Sequence, residues 1–271
     1  MADLEYSVAD GIGTIRLNRP ERKNAFTLDM VDRWAAVLGD ARTDPEVRVL
    51  ILTGTGDAFC SGVDLERRNE GRAATPLARK QVLSDQVHRI ALAMEDLDKP
   101  VIAAINGTAV GAGLDMALMC DMRIMARTAR ASEGYIRVGL VPGDGGCYYL
   151  PRLVGVAKAL ELLLTGDFID APTAKALGLV NQVVPASGLR AASDALAVLV
   201  GIAEQNLIGP GALEVQVRRM LPGEANPPVH LDVLRGTEDV GVTAVRLSEG
   251  GRDGQLAVLA VCEHLPGQAH G

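Results

Sequence analysis

The chain has 271 residues, of which 48% are hydrophobic, 23% charged and 3% aromatic, with a formal net charge of −7. These proportions belong to folded globular proteins and exclude disordered, collagen-like and disulfide-scaffold classes. The acidic balance gives no general attraction for nucleic acid phosphate, and so few aromatic side chains argue against a base-stacking surface.

Met1 to Ser7 has no basic n-region of a signal peptide, and the longest apolar run, Ala195 to Ala203, is far too short to span a bilayer. Cys60, Cys120, Cys147 and Cys262 are scattered with no CxxC pair, which predicts reduced thiols in a cytoplasmic protein and no metal framework. In chain order, Leu4 to Ala9 and Gly13 to Leu17 alternate apolar and polar around Asp10-Gly11, which predicts a hairpin. Thr27 has the character of an N-cap, and Met30, Trp34, Val37 and Leu38 follow at helical spacing. Val47 to Thr53, Val101 to Ile105, Met122 to Ala126 and Leu179 to Val184 read as strands, with helices over Gly111 to Met119 and Val156 to Thr165. Strands alternating with helices predict an α/β core on a parallel sheet, over residues 1–187. Glu66 to Pro76 is a charged break, and residues 188–271 carry helical patterns expected to form a C-terminal appendage.

Two stretches stand out, Leu50 to Leu65 and Lys99 to Asp121. Each runs a buried strand into glycines, which let a backbone approach a ligand closely because no Cβ intervenes. In the second, the glycines open a helix whose first amides lack partners, an arrangement suited to an anion or a developing oxyanion. A dinucleotide fingerprint fails because Met116 stands where its last glycine would be, and a nucleophile elbow around Ser61 fails because Phe59 takes the first glycine's place.

Taken together, these segments resemble the enoyl-CoA hydratase/isomerase (crotonase) family. Leu17-Asn-Arg-Pro20 with Asn24-Ala-Phe26 is similar to the family's N-terminal coenzyme A segment. Ala58 to Leu65 and Lys99 to Asp121 are similar to its two oxyanion-hole motifs, and Gly139 to Gly146 with Leu150 to Gly155 follows at the usual distance. The resemblance implies a crotonase-type spiral of ββα units with a helical C-terminal oligomerisation region, and a homotrimer or dimer of trimers. It implies an enzyme that stabilises an acyl-CoA thioester enolate between the backbone N–H groups of Val63 and Ala112. Coenzyme A would be part of the substrate, with no tightly bound cofactor. Its contacts would come from Arg22, Lys23, Ala25, Cys60, Gly62, Asp64, Leu65 and Gly111.

Three departures from the family pattern bear on the chemistry. The first of the two glutamates that family hydratases use falls on Asp115, and the second falls on Tyr135, which is no acid. Asp144, in Pro142-Gly-Asp-Gly-Gly146, lies in the turn where some isomerases of the family carry a single proton-shuttling acid. Glu133, two residues before Tyr135, is expected to face solvent, and His88 has no assigned role. The tail from Gln255 to His264 lacks the aromatic and lysine that usually help bind coenzyme A. The readings open at this point are hydration, double-bond isomerisation by one acid, another enolate reaction, and a catalytically silent acyl-CoA-binding or assembly protein.

Overall fold

The computed structural model describes residues 2–65 and 75–207, together with three strands nearer the C-terminus. β1 (Leu4–Ala9) and β2 (Ile12–Leu17) form the expected hairpin, with Asp10 and Gly11 both at positive φ, as a type I′ turn requires. The α-helix α1 (Leu28–Thr43) is capped by Thr27, whose hydroxyl accepts the Met30 N–H at 3.3 Å. It turns Met30, Val31, Trp34, Val37, Leu38 and Ala41 into the core.

β3 (Val49–Gly54) and the short β4 (Ala58–Cys60) come next, then α2 (Pro76–Val82) and α3 (Arg89–Asp96), joined by a π-helical stretch over Leu83–Val87. The charged break of residues 66–74 lies outside the described residues. β5 (Val101–Ile105), β6 (Thr108–Val110) and α4 (Ala112–Leu118) make up the second glycine-rich segment. Then follow β7 (Met122–Ala126), β8 (Arg130–Ser132), a 3-10 turn over Gly134–Val138, α5 (Gly146–Val154), α6 (Val156–Thr165), β9 (Ile169–Asp170), α7 (Ala171–Ala176), β10 (Gln182–Val184) and α8 (Leu189–Leu207).

Two sheets carry these elements. The larger has the order β1-β2-β3-β5-β7-β10, antiparallel only at the hairpin. β5 is buried along its whole length and β3 over Val49 to Leu52, as the continuous apolar runs VIAAI and VLIL require when helices cover both faces. The smaller has the order β4-β6-β8-β9, from strands of two or three residues. Those strands are too short to leave a period in the sequence, so the expected fold class is present with a second sheet that pattern reading does not reveal. The crotonase-type α/β core is thus built from strand pairs that each lead into a helix.

Beyond Ser187 the helical expectation holds for α8 and then fails. β11 (His230–Arg235), β12 (Val242–Ser248) and β13 (Ala257–Cys262) form a three-stranded antiparallel sheet within a second compact unit, residues 220–271. The correction has a simple cause. HLDVLR, VTAVRLS and AVLAVC are short and rich in β-branched Val and Thr, which suit a pleated surface better than a helix.

Candidate active site

The first oxyanion motif leaves β4 and makes a parallel bridge with the N-terminal segment. Phe26 donates its N–H to Gly62 O and accepts the Asp64 N–H, both at 2.9 Å, so Val63 is bridged to Phe26 through its neighbours. In such a bridge the N–H of Val63 itself points to the opposite side. The second motif ends β6 at Gly111, whose backbone (φ 53°, ψ −126°) suits glycine, and Ala112 begins α4 as its first residue. The Gly111 N–H is held by Ser132 O at 2.8 Å, so β8 sets the angle at which α4 starts.

The two motifs are adjacent. A side-chain carbon placed on Gly62 would lie 3.5 Å from the Ala112 nitrogen, and the Val63 nitrogen is one peptide bond from Gly62. The Gly62–Val63 peptide and the start of α4 are therefore packed against each other.

One turn into α4, Asp115 projects a fully buried carboxylate. The Tyr135 hydroxyl lies 2.6 Å from Asp115 Oδ2 and 2.9 Å from Asp144 Oδ2. All three candidate catalytic side chains therefore meet at one phenol oxygen. A phenol has a single proton to donate. It serves one carboxyl at a time, and both contacts are hydrogen bonds only while the other carboxyl is protonated and donates back to the Tyr135 oxygen.

Burial drives the electrostatics. It raises Asp115 from 3.8 to about 7, with the Asp144 charge adding to the rise and the Tyr135 hydrogen bond opposing it. Asp144 is likewise raised by burial, against the opposing hydrogen bond from Tyr135 and the nearby His88. Burial, then the charges of Asp115 and Asp144, push Tyr135 well above the usual tyrosine range, so it remains a neutral donor. A carboxyl pair raised by burial and linked by a neutral phenol can accept and return one proton.

Sequence reasoning missed two residues here. Glu133 is not exposed: it is 1% accessible, and burial together with the Asp115 and Asp144 charges raises it from 4.5 to about 9. Glu133 directly follows β8 and caps the 3-10 turn that carries Tyr135, so no strand or helix period in the sequence ties the two together. His88 follows the π-helical stretch and sets its Nε2 2.7 Å from Gly143 O, bracing the turn that holds Asp144.

The residues expected to contact coenzyme A lie along the same edge, and several side chains serve the scaffold. Asp64 pairs with Arg19 at 2.9 Å, both nearly buried, and Arg19 also donates to Ala25 O at 2.6 Å. The buried Cys60 thiol donates to Asn24 O and accepts the Gly62 N–H, and burial pushes it up to about 12. Asn24 ties the segment down by donating to Thr55 O and Ala58 O. Lys23 pairs with Asp57 at 2.6 Å on the surface, and Leu65 is exposed.

These shifts make stability pH-dependent. Asp115, Glu133 and Asp144 hold protons more tightly in the folded than in the unfolded chain, so their contribution is greatest in acid and falls as pH rises from about 4 to about 9. Urea midpoints measured across that range should decline steadily, and a flat profile would show that the acids do not share a buried site.

Comparison with known proteins agrees with this architecture. The sequence model of the enoyl-CoA hydratase/isomerase family matches residues 7–211. The (E)-benzylidenesuccinyl-CoA hydratase of Thauera aromatica is 35% identical over 254 residues, covering 87% of this chain and 92% of that one. The 1,2-epoxyphenylacetyl-CoA isomerase of Escherichia coli is 39% identical over 181 residues, covering 65% and 68%. Among solved structures, the enoyl-CoA hydratase of Bacillus anthracis superposes with a TM-score of 0.69 at 34% identity, covering 75% of this chain and 81% of its own. With the motifs, the two-sheet core and these relatives in agreement, the chain belongs to the enoyl-CoA hydratase/isomerase family and is an acyl-CoA-processing enzyme.

Proposed function

We propose that the enzyme moves a double bond along an acyl-CoA chain by a single-acid proton transfer. The observation that carries this reading is the Tyr135 oxygen, 2.6 and 2.9 Å from two carboxylates. A hydratase needs a water held between two acids. Here a phenol fills that gap, leaving the pair suited to carrying a proton and not to activating water.

The thioester oxygen accepts from the N–H groups of Val63 and Ala112. Asp144, at the more open end of the pair, acts in its ionised form: it removes a proton from the α-carbon, and the C–H electron pair moves onto the thioester oxygen as an enolate. The same proton then adds to the γ-carbon, the carbonyl re-forms, and a 3-enoyl chain becomes a 2-enoyl chain of the same mass. Two aimed amides in a dry site contribute roughly 3 kcal/mol each to such a transition state. The Tyr135 hydroxyl donates to Asp115 throughout.

Mass spectrometry on a panel of acyl-CoAs tests this. Unchanged mass with a shifted double bond is expected. Gain of water would establish hydration, loss of carbon dioxide or release of free coenzyme A would establish another enolate reaction, and binding without turnover would establish a silent binder.

The reading carries with it the remaining site roles. Arg22, Lys23, Ala25, Cys60, Gly62, Asp64, Leu65 and Gly111 line the coenzyme A path, Ala25, Cys60 and Asp64 through their main chain. It also carries a cytoplasmic homotrimer or dimer of trimers. Exposed Val156, Leu160 and Leu164, four residues apart along one face of α6, support self-association, since large exposed apolar side chains on one face favour an interface. Light scattering at the mass of one chain would exclude it. Among the described residues, no helix is long and apolar enough to cross a membrane.

A further inference from the structure

The reaction just proposed uses two carboxyls and leaves a third unexplained. Glu133 is 1% accessible, and both of its oxygens, like Asp115 Oδ1, have no hydrogen-bond partner among the described residues. These three oxygens converge. A side-chain carbon on Gly146 would lie 2.6 Å from Asp115 Oδ1, 3.0 Å from Glu133 Oε2 and 3.1 Å from Glu133 Oε1, so the absence of a side chain there is what lets the two carboxyls close on each other. Unpaired buried carboxylate oxygens are costly unless a proton joins them.

We propose that Glu133 is a positioning residue for the proton transfer: its carboxyl stays protonated and directs its O–H toward Asp115 Oδ1. Asp115 then accepts from Glu133 on one oxygen and from Tyr135 on the other, and remains the fixed anion of the cluster. With the Tyr135 hydroxyl committed to Asp115, Asp144 is the carboxyl left free to exchange its proton with substrate. This division of labour rests on the isomerase reading, whereas the protonation of Glu133 does not.

The surroundings of Glu133 agree with a neutral carboxyl. Asp115 faces it from α4, Tyr135 and Asp144 from the segment that follows, and Cys147 from α5, itself raised partly by Glu133. His88 reaches the cluster only on the far side, at Asp144. Glu133 also borders a small cavity whose walls include Leu114, Leu150 and Leu162, with Asp167 at its edge. The charges acting on Glu133 are therefore those of Asp115 and Asp144, both negative.

Glu133→Gln keeps a neutral donor of the same shape and supplies the test. In the wild type, ionisation of Glu133 at alkaline pH places a second anion against Asp115, and kcat should fall about tenfold per pH unit beyond that point. The Gln variant should match the wild type within about threefold at neutral pH and lose this alkaline decline. Coincident alkaline limbs in the two proteins would overturn the positioning role. A second measurement needs no turnover. The infrared spectrum at neutral pH should contain a protonated-carboxyl C=O band that is missing from Glu133→Gln. An unchanged band pattern would overturn the proposal outright. The band present in an enzyme that isomerises no acyl-CoA would sustain Glu133's protonation and sink only the isomerase reading.

Discussion

Asp144→Asn is expected to lower kcat by about two to four orders of magnitude with little change in KM, because a general base acts in the transition state and not in substrate binding. Asn has the shape of Asp and can donate an amide N–H to the Tyr135 oxygen, so the geometry at 2.9 Å survives while the proton-accepting carboxylate is lost. Asp115→Asn should cost only about tenfold, since it removes a fixed charge and not the group that meets substrate. Tyr135→Phe lies between the two, because it deletes the donor shared by both carboxyls. Equal losses in the two Asn variants would instead favour two-acid hydration, and an unaffected Asp144→Asn would remove Asp144 as base. Misfolding is separable from these outcomes. Asp144→Asn relieves repulsion in a buried acidic cluster, so its urea midpoint should equal or exceed that of the wild type.

The second large effect is expected at Gly113, next to Ala112, the proposed oxyanion donor. Elsewhere in a helix, replacing Gly with Ala gains about 1 kcal/mol. Here the new carbon would lie 2.2 Å from Cys60 O and 2.6 Å from Cys60 C, backbone atoms of β4 that no rotamer change can move. Helix α4 must then slide off β4, and overpacking of this kind costs about 1–3 kcal/mol or more. We expect Gly113→Ala to lose about 2 kcal/mol net and at least about a hundredfold in kcat, since a shift of roughly 1 Å in the Ala112 N–H misplaces the oxyanion donor. Urea unfolding and steady-state kinetics check both. A variant as stable and as active as the wild type would show that α4 does not need that close approach.

Both predictions rest on features that were unequally legible. The hairpin at Asp10-Gly11, the cap at Thr27 and the strand Val101–Ile105 depend on neighbours within a few residues, so local pattern is enough to find them. The motifs around Val63, Ala112, Asp115 and Asp144 were likewise visible, because their glycines mark close backbone approach. The four-stranded sheet was not, since its strands have two or three residues and pair only with partners far along the chain. The C-terminal strands were read as helix for a related reason: short apolar runs are ambiguous without knowledge of what they pair with.

By itself the amino-acid order determined the hairpin, the cap of α1 and the longer strands and helices of the core, because turn chemistry, capping and side-chain periodicity are properties of adjacent residues. It thereby determined the family and the turns that carry residues 63 and 112. Only the tertiary structure decided the protonation chemistry. Whether an acid is charged depends on how much water it loses and which charges it meets, and those are contributed by α4, β8, the 3-10 turn and α5 together. That is why Glu133, which looks in sequence like a surface residue, stands inside as a third carboxyl beside Asp115 and Asp144.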